Sequence, residues 1–205
     1  KLTLSFAALA DESRDIRTFT ARRFEGSTQI VHNISRIYTA LYRFSYRLVN
    51  LRDLQIAPSE VPAAAKQVRI GLLFGTLIQD RRADPLDAHR GHYNTLDTKV
   101  FASESAFARM VGRNSTYHQI SPRLVFARTF VVGWQPAFRE ITQDGRVFPD
   151  VPLPERFFAG GASSHRGFPE NQAGPRDFAT GFPVGGTAQL MNGLELRFPL
   201  YGENL

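Results

Sequence analysis

Gly160-Gly161-Ala162-Ser163-Ser164-His165 is the place where hydroxyls, an imidazole and a glycine-rich turn stand together, the raw material of acyl-transfer chemistry. The Gly-x-Ser-x-Gly elbow that would present such a serine is missing. A serine beside a histidine in sequence is no triad, because a triad is a spatial arrangement. The stretch also lacks the Gly-Lys-Ser/Thr ending of a phosphate-binding loop. Of the five histidines, His32, His89, His92, His118 and His165, only His89 and His92 are close in sequence, and they read as solvated turn residues. Asp80, Asp84 and Asp87 could offer oxygens to a cation. Arg81, Arg82 and Arg90 stand among them, so a hairpin salt-bridge set is the simpler reading. Cysteine is absent, which removes thiol metal sites and disulfides. No catalytic residue, metal or cofactor is expected, and the chain does not read as an enzyme.

The elements that position these residues are strands. Between Arg36 and Leu48, Tyr38, Ala40, Tyr42, Phe44, Tyr46 and Leu48 alternate with Thr39, Arg43, Ser45 and Arg47. This two-residue period gives one aromatic and one basic face. Val68–Ile78 repeats it, with Val68, Ile70, Leu72, Phe74 and Ile78 opposite Arg69, Gly71, Gly75 and Gln79. Leu96, Val100 and Ala102 oppose Thr95, Asp97 and Lys99, while Ala188, Leu190, Leu194, Leu196 and Phe198 oppose Gln189, Glu195 and Arg197. Leu2–Leu9, Ile16–Ile34, Phe107–Ile120 and Arg123–Trp134 complete eight predicted strands; the second is long enough to hold a bulge near Gly26.

Composition narrows where such strands can sit. Hydrophobic residues make up 42% and charged residues 21%, with no apolar run long enough for a membrane helix. Barrel strands need only about 9–11 residues with alternate positions facing lipid. The 17 Phe and 6 Tyr suit strands and the aromatic girdles of a membrane barrel. The net charge of +6 comes with no long basic run, so no nucleic-acid partner is expected. Tight turns are predicted at Ile34-Ser35-Arg36 and Ile120-Ser121-Pro122-Arg123, against long links at 51–67 and 136–183. Short turns on one side and long loops on the other are the habit of outer-membrane barrels. The 48-residue stretch 136–183 is too long to be structureless and should be functional or folded back. Lys1-Leu2-Thr3-Leu4 already reads as strand and Glu203-Asn204-Leu205 directly follows another, so both ends read as cut from a longer protein.

The long loop carries the most specific pattern. Leu153-Pro154-Glu155-Arg156-Phe157-Phe158-Ala159-Gly160-Gly161 is followed by Arg166-Gly167-Phe168, Gly174-Pro175-Arg176-Asp177 and Val184-Gly185-Gly186, then by Leu194-Glu195-Leu196-Arg197-Phe198-Pro199. This succession resembles the bacterial surface antigen barrel of the BamA/TamA family. Asp80-Arg81-Arg82-Ala83-Asp84-Pro85-Leu86-Asp87, closed by Arg90-Gly91, extends the resemblance upstream to about Val68. His165 stands where the family commonly has Val.

The resemblance implies an all-β, antiparallel transmembrane barrel of sixteen strands, of which residues 1–205 would supply about eight, the fifth to the twelfth. The loop at about 136–183 would enter the lumen. Its Arg166 would there reach Glu195 on the barrel wall, since a guanidinium leaving water needs a carboxylate fork. Gly160, Gly161 and Gly167 would let the loop turn sharply against the wall, and Phe168 would pack the tip. The last strands and the periplasmic POTRA domains would lie outside this chain. By the same resemblance the protein is a multi-pass barrel of the bacterial outer membrane that assembles and inserts β-barrel proteins through a lateral seam. Its expected partners are outer-membrane lipids, unfolded β-barrel substrates, periplasmic chaperones and accessory lipoproteins. A secretion pore and the anchor of a fused passenger domain are the alternative roles.

Overall fold

The computed structural model describes residues 1–13, 18–56, 68–103, 106–143, 145–162 and 164–199. Ten strands appear in it: β1 (Leu2–Ser13), β2 (Thr20–Asn33), β3 (Tyr38–Arg52), β4 (Val68–Asp80), β5 (Gly91–Ser103), β6 (Phe107–Ser121), β7 (Leu124–Trp134), β8 (Glu140–Gln143), β9 (Arg146–Pro149) and β10 (Ala188–Arg197). Eight form one antiparallel sheet in the order β1-β2-β3-β4-β5-β6-β7-β10, and β8 pairs only with β9. β1 and β10 are the sheet's two edges and do not pair with each other, so the wall is an open arc. Five of its strands have 13 or more residues, long enough to cross a hydrocarbon core at a barrel's tilt.

Alternation decides which side chains meet which solvent. On β3, Tyr42, Phe44 and Tyr46 face outward and are about half exposed. Register places them beside Ile30, Thr28 and Gly26 of β2 and Gly75, Leu73 and Gly71 of β4. The same outward rows hold Leu2, Leu4 and Phe6, then Leu96 and Val100, Val132 and Trp134, and Leu190, Leu194 and Leu196, all exposed. The inward rows carry Glu25, Gln29, Arg43, Arg47, Asp97, Lys99, Arg113 and Glu195, as the polar faces of β3, β5 and β10 predict.

β4 reverses that reading. Its apolar set, Val68, Ile70 and Leu72, points inward and is almost fully buried, whereas the set with Arg69, Gly71, Leu73, Gly75, Leu77 and Gln79 faces outward. The cause is a second apolar layer inside the arc. Val151, Leu153, Phe158, Phe182 and Val184 of the long link between β7 and β10 pack with Phe19, Val49, Val68, Ile70, Leu72, Phe101 and Phe107 of the wall. There the inner wall is core, and it reads as apolar on alternate positions just as a lipid-facing wall would.

Short turns Ile34–Ile37 and Pro122–Arg123 share one end of the sheet with the 81–90 hairpin; the links following β1, β3, β5 and β7 leave the other. The Ser35 hydroxyl accepts bonds from the Ile37 and Tyr38 N–H groups and closes the first turn. No bulge interrupts β2 at Gly26, which pairs in step with Ala8 and Tyr46. The register shift occurs instead between Gln119 and Ser121. The predicted start of the second strand, Ile16 and Arg17, lies outside the described residues; β2 begins at Thr20.

Candidate functional site: the luminal loop and its anchors

The link 135–187 folds back into the concave face and is built from turns and single bridges. Phe157 and Gly186 exchange both main-chain bonds at 2.9 Å, and Ala159 bridges Ala173. Arg176 bridges Pro183, and the β8–β9 hairpin stands apart. The Thr18 hydroxyl donates to the Pro183 carbonyl, tying the approach to β2 to the loop.

The structure brings together Arg166 and Glu195, the two residues that the family resemblance pairs. Arg166 Nη2 meets Glu195 Oε1 on β10 at 3.0 Å, and the other carboxylate oxygen of Glu195 takes Arg197 Nη2, also at 3.0 Å. The contact is a single-nitrogen bond, and the Arg166 side chain is 76% exposed among the described residues, so the guanidinium is paired but still wet. Phe168 is also partly exposed and lies against the His165 ring, with centroids 4.9 Å apart. Around this tip, Ala159, Arg166, Arg113, Thr129, Met191 and Glu195 line a cleft of about 580 Å³ between loop and wall.

The predicted glycines divide. Gly160 has φ +122° and its backbone lies against the Pro169 carbonyl, while Gly161 has φ +83° against the Glu170 carboxylate. Both need glycine, but the close approach is to the loop itself and not to the wall. Gly167 has neither positive φ nor a neighbour that a Cβ would meet, so the expectation that it eases the turn does not hold. The Ser164 hydroxyl accepts from the Gly160 N–H at 2.8 Å and donates to its carbonyl at 2.7 Å. With His165 turned against Phe168, these side chains build a turn; Ser163 lies outside the described residues.

The anchor that sequence reasoning missed is Glu155. Leu153–Glu155 form a short 3-10 turn that lowers the Glu155 carboxylate, only 6% exposed, onto Arg47 of β3. Arg47 Nη1 meets Glu155 Oε1 at 2.8 Å while its Nε meets Glu25 Oε2 of β2 at 2.8 Å, so one guanidinium is held by two carboxylates. The Glu155 carbonyl accepts from Gln135 Nε2 at 2.6 Å and from Arg109 Nη1 at 3.3 Å. Arg109 also covers the Phe157 ring at 4.2 Å. That ring fits because β7 has Gly133 beneath it: a Cβ there would lie 2.7 Å from Phe157 Cζ. Arg156 is held by the carbonyls of Val151 and Val184, and burial pulls its guanidinium down to about 10, still cationic at neutral pH. The signal was present in the sequence: Arg43 and Arg47 alternate with aromatics, and an inward arginine must find an acceptor.

At the opposite end, the 81–90 hairpin holds part of the predicted salt-bridge set. Arg82 grips Asp80 through two nitrogens, Nη2–Oδ2 at 2.7 Å and Nε–Oδ1 at 3.0 Å, and lies over the Tyr93 ring. Asp84 caps the Leu86 N–H, while Asp87 lies 3.6 Å from His89. Arg81 and Arg90 contribute main-chain bonds to His92 and Ala83.

A wall apolar outside, polar inside except where its own folded-back loop covers it, defines an outer-membrane β-barrel. The Omp85 superfamily domain matches residues 1–204, and the chain belongs to that family. Among solved structures it is similar to BamA from Haemophilus ducreyi, determined lacking POTRA domains 1–3. The identity is 15% and the TM-score 0.80, covering 97% of this chain and 42% of that one. The chain thus spans less than half the length of that relative. No curated protein matches.

Proposed function

We propose that the chain is the middle of a barrel that folds and inserts β-barrel proteins into the bacterial outer membrane. The observation that carries this reading is the loop held against the inner wall at two places, Arg166 on Glu195 and Glu155 on Arg47, within an Omp85 frame. No covalent step is needed. A substrate strand pairs with an exposed strand edge, where unpaired N–H and C=O groups are a template that lipid cannot satisfy. The pairing strands belong to the part of the barrel beyond this arc, and the anchored loop sets how rigid the opposite wall is. Unfolded barrel proteins, chaperones and accessory lipoproteins are the partners this role requires.

Depletion of the full-length protein in its host, followed by quantitative proteomics of purified outer membranes, tests the reading. General loss of integral β-barrels supports assembly. Loss confined to one secreted or surface-displayed passenger, with other barrels at normal abundance, would replace it with a secretion pore or passenger anchor.

A further inference from the structure

A lipid-facing wall should be apolar at mid-depth, and β7 departs from that at Arg128. Its register neighbours are Thr116 on β6 and Leu194 on β10, both on outward rows, and its side chain is exposed. Trp134 ends the strand six residues away, so Arg128 lies about 15 Å below that ring at a rise of about 3.3 Å per residue and a tilt near 40°. The short-turn end of β7, at Leu124, is nearer, about 10 Å by the same arithmetic.

The guanidinium does not reach for that interface. Its Nε donates to Asn192 Oδ1 at 3.0 Å, and it lies 5.6 Å from the centroid of the Phe130 ring, toward mid-membrane. Among the described residues Nη1 and Nη2 have no acceptor. Other outward polar groups satisfy one another: Gln79 Nε2 donates to the Tyr38 hydroxyl at 2.6 Å, Asn94 to Gln79 at 2.7 Å, and Asn114 to Asn94 at 2.5 Å. Arg128 is the outward cation left with open donors beside this ladder.

A polar track leads to it from the short-turn end. His92, Thr116 and His118 stand on the outward rows there and, with Arg90, Gly91, Tyr117 and Gln119, line a cavity of about 350 Å³. Thr116 sits between His92 on β5 and Arg128 on β7 in the register. The track is basic. On the outward rows of the eight strands the one carboxylate among the described residues is Glu12, at the far end of β1 and 3.8 Å from Arg22. A second copy docking through this face would therefore bring Arg128 no acid, whereas a lipid phosphate supplies the charge and the acceptor oxygens a guanidinium fork takes.

We infer that the outer wall of β5–β7 binds a glycerophospholipid from the leaflet at the short-turn end, its phosphate drawn along His92, Thr116 and His118 onto Arg128. The inference is independent of the assembly role and needs only that this wall faces lipid.

The test is native mass spectrometry of the full-length protein in detergent with dimyristoyl phosphatidylglycerol, dimyristoylglycerol or lipopolysaccharide as probe. The wild type is expected to retain one phosphatidylglycerol under activation that strips the rest, and no dimyristoylglycerol. Arg128→Leu should lower that retention at least tenfold, Arg128→Lys less, and Arg69→Leu, outward at the other end of the wall, not at all. Equal retention by Arg128→Leu, equal retention of the phosphate-free lipid, or preference for lipopolysaccharide would each overturn the inference. If Arg128→Leu fails to fold, His118→Ala with Thr116→Val is read instead, with the same tenfold criterion. A photo-crosslinker at Asn114 in intact membranes should capture lipid; capture of a protein would also overturn it.

Discussion

Replacing Glu155 by alanine should release the base of the luminal loop without unfolding the wall. The carboxylate is nearly buried and Arg47 is 19% exposed, so their 2.8 Å contact lies mostly out of water. Removing one partner of a buried pair costs about 3–5 kcal/mol when the other is left alone. Here Arg47 keeps Glu25, and the Glu155 carbonyl keeps Gln135 and Arg109. The loss should therefore be smaller, about 2–3 kcal/mol of local opening free energy. At about 1.4 kcal/mol per decade, that is roughly 30- to 150-fold faster amide exchange. Hydrogen exchange of the full-length protein in detergent, read on peptides covering 153–158, is the assay. Arg47→Met should open the loop further, because it orphans two carboxylates. Exchange within about threefold of wild type in Glu155→Ala, or a smaller effect for Arg47→Met than for Glu155→Ala, would refute the reasoning.

Arg166→Ala should lower the unfolding free energy of the full-length barrel, read from urea titration, by less than about 1 kcal/mol, since an ion pair this exposed is weak; assembly activity should nevertheless fall, and full activity would remove the pair from the mechanism. Gly133→Val should push Phe157 and Gln189 off β7 and destabilise the barrel by about 1–3 kcal/mol, measured as a lower urea midpoint. The Thr180 hydroxyl and the N–H groups of Thr180 and Ala179 hold Asp177 below the usual carboxylate range. A depressed folded-state value contributes stability that is present above the unfolded value, about 3.9, and lost as pH falls through the folded one. Protease resistance at residues 175–184 should therefore persist to pH 4 and decline on further acidification, and Asp177→Asn should flatten that decline.

The arc was legible where one face met lipid and the other water. β3 is the clearest case: its aromatics are all outward, and Arg43 and Arg47 between them are inward. β4 was misleading because period two records which face is apolar, not which side it faces. Val68, Ile70 and Leu72 are apolar because Val151 and Leu153 cover them from inside. The Arg166–Glu195 pair was legible through family resemblance alone, since nothing in spacing joins residues 29 apart. Glu155 stood within the same motif, but Arg47 is 108 positions away and only the register of β2, β3 and the folded loop brings the three charges together. Gly167 shows the reverse error: a glycine inside a motif is not thereby a conformational requirement.

Reconstitution tests the central claim most directly. Proteoliposomes carrying the full-length protein are offered a urea-unfolded small β-barrel, and folding is followed by the shift in gel mobility of the unheated product. The account predicts folding at least tenfold faster than in empty vesicles, with Arg166→Ala and Glu155→Ala both slower than wild type. Folding no faster than in empty vesicles, from protein that is itself correctly inserted, would contradict it.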